Sequence, residues 1–183
     1  MRKVELLPVL VPVALVLSAV VIATVAPQDS SSPQARATQT PQGLDEARQS
    51  ALEWIAEASQ HVTDWEIWKD TTIGECTQFT DGGGYLSALV FPVIRDQEEV
   101  GYVTVDMRFG RCTVLGSGLG PSPAHNLPQA RELAAQRLGT SPGDVEVRLI
   151  FLGSMMYLAD FTSQNGESIT FNLLSLREFP EPW

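Results

Sequence analysis

One uncharged stretch near the start of the chain decides how much of it can build a globular domain. From Leu6 to Ala26 there is no acidic, basic or histidine residue. As a helix the run would reach about 30 Å, the hydrocarbon thickness of a bilayer. Arg2 and Lys3 precede it, and basic residues hold such an N-terminus in the cytoplasm, so that the rest of the chain faces outward. Thr24-Val25-Ala26 resembles a signal-peptide cleavage site, but Pro27 would follow the cut and disfavours it. Residues 1–26 are therefore expected to be a retained signal anchor, a single pass placing the domain outside the cell membrane. Release as a secreted protein is the alternative. Pro8 and Pro12 would kink the helix without preventing it from spanning.

Residues 27–43, PQDSSSPQARATQTPQG, follow as a linker. Pro, Ser, Thr and Gln dominate, and nothing in it is apolar enough to pack. That leaves residues 44–183 as one extracytoplasmic folded domain. The whole chain carries a net charge of −10, and almost none of that acidity lies in residues 1–26, since Arg2 and Lys3 outweigh Glu5 there. Beyond the anchor Lys69 is the only lysine. Phosphate backbones would repel such a domain, which argues against nucleic acid as a partner. The membrane is engaged through residues 6–26 instead.

The domain opens on a helix. Leu44, Ala47, Ala51, Ile55, Ala58 and Val62 recur at three- and four-residue steps and make one apolar stripe. Strand patterns rich in Val, Ile, Thr, Phe and Tyr follow over 73–80, 85–94, 99–107 and 111–117. Val103, Val105 and Met107 alternate with Tyr102, Thr104 and Asp106, the pattern of a sheet with one buried and one wet face.

The glycines test for nucleotide chemistry. A phosphate cradle needs glycines that follow a strand and open a helix. Gly82-Gly83-Gly84 instead follow Asp81 and lead into YLSALVFPVI, so they read as a hairpin turn. Pro92 marks that strand as an edge, or as bulged there. GSGLGPSP at 116–123 follows a strand, but Pro121 breaks the dinucleotide spacing and a connecting loop is expected.

A second helix is expected over LPQARELAAQRLG, with Pro128 at its first helical position and Gly139 at its end. Strands near 145–152, 155–162 and 167–175 complete the chain, and Asn165-Gly166 signals a hairpin. Helix then strands thus occurs twice, and YLSALVF at 85 echoes YLADFTS at 157. The expectation is an α+β fold, with antiparallel sheets each covered by a helix, built as a duplicated α-β-β-β unit.

Cys76 and Cys112 are the only cysteines. An even count outside the cytoplasm favours a disulfide between them, worth about 3–4 kcal/mol on the chain-entropy model. Two free or buried thiols come second. A catalytic thiol, with His61 or His125 as base, comes third. Two cysteines and two histidines scattered over the domain do not make a metal site, and no catalytic or cofactor motif stands in the chain. Asp96, Glu98 and Glu99 read as a solvated turn. Asp106 and Asp160 could be paired carboxylates in a cleft, but strand residues of this kind more often face water. Trp54, Trp65 and Trp68 could form a sugar platform, although packing between helix and sheet is favoured.

The run GECTQFTDGGGYLSALVFPVIRDQEEVGYVTVD, with the later GLGPSP, resembles the propeptide-like N-terminal domain of secreted bacterial cysteine peptidases of the papain-like, streptopain-like and bacteriocin-processing kinds. The resemblance covers roughly Trp65 to Pro123. The chain ends at EFPEPW without a catalytic domain, so no catalytic residue is carried over. The resemblance implies a non-enzymatic inhibitor or folding partner of a secreted peptidase. An envelope structural or sensory domain is the alternative, and a thiol-dependent hydrolase a further one.

Overall fold

The computed structural model describes residues 41–153 and 155–180. The expected anchor and residues 27–40 of the expected linker lie outside the described residues. Among the described residues no helix is long and apolar enough to cross a membrane.

The first helix, α1, runs Pro41–His61 and so takes in the last three residues assigned to the linker. Ala47, Ala51, Ile55 and Ala58 are buried along its stripe. Three of these four are alanines, so the helix lies close against Leu89, Phe91, Val93, Val103 and Val105. The strands that follow are β1 Thr72–Ile73, β2 Thr77–Thr80, β3 Leu86–Arg95, β4 Glu98–Asp106 and β5 Thr113–Leu119. A short turn of 3-10 helix leads into α2, Leu127–Leu138. It ends at Gly139, whose left-handed backbone closes the helix. Then come β6 Val145–Phe151, β7 Tyr157–Ser163, β8 Ser168–Asn172 and β9 Arg177–Glu178.

The fold is α+β, but the sheet differs from the expected one. Instead of separate antiparallel sheets, the described residues form one nine-stranded mixed sheet, in the order β5-β4-β3-β2-β6-β7-β8-β9, with β1 on β3. Each half carries a four-strand meander, β2–β5 and β6–β9, so the repeat has one strand more than the expected α-β-β-β unit and the second half gains β9. The two meanders join through their first strands, β2 and β6, which run parallel at Thr80 and Ile150. The echoing runs YLSALVF and YLADFTS fall on β3 and β7, the second strand of each meander.

A parallel seam between two like meanders relates them by an axis along the strands, and this sends the helices to opposite faces. Leu89 and Phe91 of β3 pack under α1. Their neighbours Ala88 and Val90 join Phe79, Phe151, Tyr157, Ala159 and Phe161 in the core that Ala130 and Ala134 of α2 cover.

The wet face expected for β4 is not wet. Tyr102, Thr104 and Asp106 are buried, as Val103 and Val105 are on the other face. Tyr157, at the start of β7, reaches this face of β4 and bonds to Thr104. Tyr157 then meets Tyr102 edge-on, with ring centroids 6.0 Å apart. Pattern within one strand could not announce a covering from a strand more than fifty residues away.

Three punctuation residues also read differently in space. Pro92 lies in an interior strand, paired with Tyr102 on one side. On its other side β1 ends at Ile73 and β2 begins at Thr77, so the missing N–H of proline falls where neither short strand pairs. A register shift follows at Val93/Ile94. Likewise Gly116 and Gly118 belong to β5 rather than to a connecting loop. A Cβ at Gly118 would stand 2.7 Å from the Tyr102 ring, so the strand is bare there because an aromatic ring lies on it.

Candidate functional site

The turn at Asp81 shows the glycines at work. Its carboxylate Oδ1 accepts hydrogen bonds from the amides of Gly83 (2.8 Å) and Tyr85 (2.9 Å). Gly84 takes a positive φ of 82°. The amides are consumed by the turn itself, which links β2 to β3 as a hairpin.

Cys76 and Cys112 are free thiols, and the expected bridge is not formed. Cys76 enters β2 and Cys112 enters β5, with β4 and β3 between those strands. Three strand spacings separate the two by about 14 Å, whereas bonded cysteines need Cα atoms within about 7 Å. Both pack at the margin of the α1 core. Burial pushes both thiols up, with Arg48 opposing weakly at Cys76 and Glu46 adding to the rise at Cys112. A nucleophilic thiol needs the opposite shift. Of the histidines, His125 Nδ1 lies 4.0 Å from Glu99, and His61 is exposed at the end of α1.

Asp106 and Asp160 are not brought together. Asp106 faces the shared core side of β4, where Arg108 grips it with bonds of 3.0 Å from Nε and 2.8 Å from Nη2. These bonds hold its carboxyl below the usual carboxylate range. Asp160 alternates with the core residues Ala159 and Phe161, and so lies on the other face of the sheet. There it accepts from Arg148 (3.1 Å) and Thr170 (3.0 Å). Each carboxylate is a locally paired structural group.

The tryptophans divide. Trp68 is buried and meets Trp65 at a tilt, with ring centroids 4.5 Å apart, as expected of packing between helix and sheet. Trp54 is partly exposed and donates from Nε1 to Ser117 Oγ at 3.1 Å. A shallow groove of about 320 Å3 lies between the second half of α1, at Leu52, Ile55 and Ser59, and the segment Trp68–Thr71.

What sequence reasoning missed is that β5, expected as a strand over 111–117, is an edge. Among the described residues it is the outermost strand at its end of the sheet, paired with β4 alone. Gly120 donates to Val100 O at 3.0 Å. Because bonded and non-bonded positions alternate in an antiparallel pair, Ser117 and Leu119 turn their N–H and C=O groups away from β4. Leu119 is 48% and Leu115 is 41% exposed, and Trp54 stands beside Ser117. Leu115 is the extra residue between Val114, opposite Val105, and Gly116, opposite Thr104. The available signal was the Leu-Gly-Ser-Gly-Leu pattern, in which exposed leucines flank glycines too slim to cover the backbone.

No family model, no curated protein and no solved structure matches this chain.

Proposed function

We propose that the chain is a membrane-anchored, extracytoplasmic, non-enzymatic binding module that receives an extended segment of another protein along β5. The observation that carries this reading is the open edge itself. Outward backbone groups at Ser117 and Leu119 are flanked by Leu115, Leu119 and Trp54. Strand addition uses main-chain bonds for affinity and alternate side chains for selection, and this edge supplies both. Glu46, Glu53 and Glu57 on α1 favour a segment that carries basic residues among apolar ones. The resemblance to peptidase propeptides makes a secreted cysteine peptidase the first partner to try.

The test uses the full chain with a photoreactive residue in place of Leu115, exposed to the host's secreted and envelope proteins, beside the same chain carrying Leu119→Pro. Proline removes an outward N–H and blocks pairing on that side. Crosslinking to a defined partner segment that is lost in the proline variant, at unchanged circular dichroism, supports the reading. Equal crosslinking by both chains overturns it. A captured cysteine peptidase that loses activity on binding would establish the inhibitor form, and envelope proteins alone would leave the scaffold or sensor form.

A further inference from the structure

The most exposed large apolar side chain among the described residues is Phe109, at 82%. It sits at the tip of the β4–β5 turn, in Met107-Arg108-Phe109-Gly110-Arg111. The turn is built rather than slack. Arg108 is clamped to Asp106 through both carboxylate oxygens, and its guanidinium lies 5.8 Å from the centre of the Phe109 ring. Gly110 completes the turn with φ at 65°. An aromatic ring is thus held out in water by a fixed arginine.

Two neighbours locate this tip. Met107 N donates to Ser87 O at 3.0 Å, which sets it beside the β2–β3 turn, where Tyr85 is 56% exposed. Cys112 Sγ lies 3.6 Å from the carbonyl of Gly43, so the start of α1 is at the same end of the sheet. The polypeptide therefore enters the described fold beside Phe109 and Tyr85. The 14 residues of 27–40 join this point to the apolar run 6–26. Backbone dimensions limit 14 residues to about 50 Å at full stretch. The turn between β3 and β4, at the far end of that hairpin, carries Arg95, Asp96, Gln97 and Glu98 instead.

We propose that this end of the domain rests on the outer leaflet, with Phe109 inserted at the headgroup level and Tyr85 beside it. The inference depends on the anchored reading given above. Aromatic rings and arginines are the side chains that settle at a membrane interface. Asp45, Glu46, Asp81 and Asp106 outnumber Arg108 and Arg111 at this end, so the contact is apolar and needs no anionic lipid. It leaves the far part of β5, at Ser117 and Leu119, directed away from the bilayer and open to a partner.

The test reconstitutes the full chain into zwitterionic vesicles containing a lipid with a photoreactive headgroup. Vesicles are washed at alkaline pH before peptide mapping. Retention through the wash, with lipid adducts on residues 107–111 and Tyr85, is the expected result. Phe109→Ser should lower the adducts on that turn about tenfold while retention is unchanged, and Phe109→Leu should restore most of them. Retention with adducts confined to residues 1–40 overturns the inference and leaves the anchor standing. Loss of the protein in the wash overturns the anchored reading, and the inference falls with it.

Discussion

The hydroxyl of Tyr157 and the Oγ1 of Thr104 lie 2.6 Å apart in the buried centre of the domain, and this bond ties the second meander to the first. Tyr157→Phe would leave the Thr104 hydroxyl buried without its partner, a loss of about 1–3 kcal/mol. Adding Thr104→Val removes the orphan, so the double variant should recover part of that loss. Urea unfolding of the four chains in the cycle measures the coupling, and strict additivity would show that the bond contributes nothing.

The same tyrosine sets an alkaline limit. Burial raises its pKa from 10.0 to about 12, with the Thr104 bond opposing more weakly. The unfolded chain therefore loses this proton first, and stability present below pH 10 drains away as pH rises towards 12. Tyr102 is shifted the same way by burial. Unfolding midpoints across pH 9 to 12 should fall more steeply for the native chain than for Tyr157→Phe. Parallel curves would contradict the assignment.

Gly101 lies beneath the indole of Trp68, and an added Cβ would stand 2.6 Å from Cε2 and Cζ2 of that ring. Gly101→Ala should cost about 1–3 kcal/mol through overpacking. It should also shift the tryptophan emission as Trp68 is displaced. An unchanged spectrum with unchanged stability would mean that the ring does not sit over the strand.

Cys76 and Cys112 should both alkylate in denaturant without prior reduction, adding two groups by intact mass. In the folded protein the reaction should slow markedly, since burial raises both thiols and leaves less of the reactive thiolate. A chain that takes up no label in denaturant would carry the bridge that the strand order excludes.

At the β3–β4 turn, Asp96 and Gln97 both adopt positive φ, 52° and 70°. Left-handed backbone costs a side-chain-bearing residue about 1–2 kcal/mol, and glycine gives part of that back as lost chain freedom. Gln97→Gly should therefore raise stability by about 0.5–1 kcal/mol, read from the thermal midpoint. A lower midpoint would assign Gln97 a contact beyond its backbone.

The sequence was legible where a signal is local. Both helices follow from their apolar spacing, and the hairpins at Asp81-Gly82 and Asn165-Gly166 from their turn chemistry. Features set by distant neighbours were not legible. Gly116 and Gly118 looked like loop residues because Met155 and Tyr102, which cover them, are remote in sequence. Pro92 read as an edge or a bulge, and its place in an interior strand was hidden because the break between β1 and β2 belongs to other strands. The candidate site is of the second kind, since an edge exists only once the order of the strands is known. The parallel seam was hidden for the same reason.

That seam bears on how the protein comes into being. A chain delivered N-terminus first completes α1 and the first meander before any of β6 is present. Until Tyr157 arrives, Ala88 and Val90 of β3 and Tyr102 of β4 have one side in water, a half-finished core beside β2, whose edge stays open until β6 pairs with it. The domain thus passes through a sticky intermediate whose lifetime is set by the supply of its second half, and slowing that supply should favour aggregation over folding.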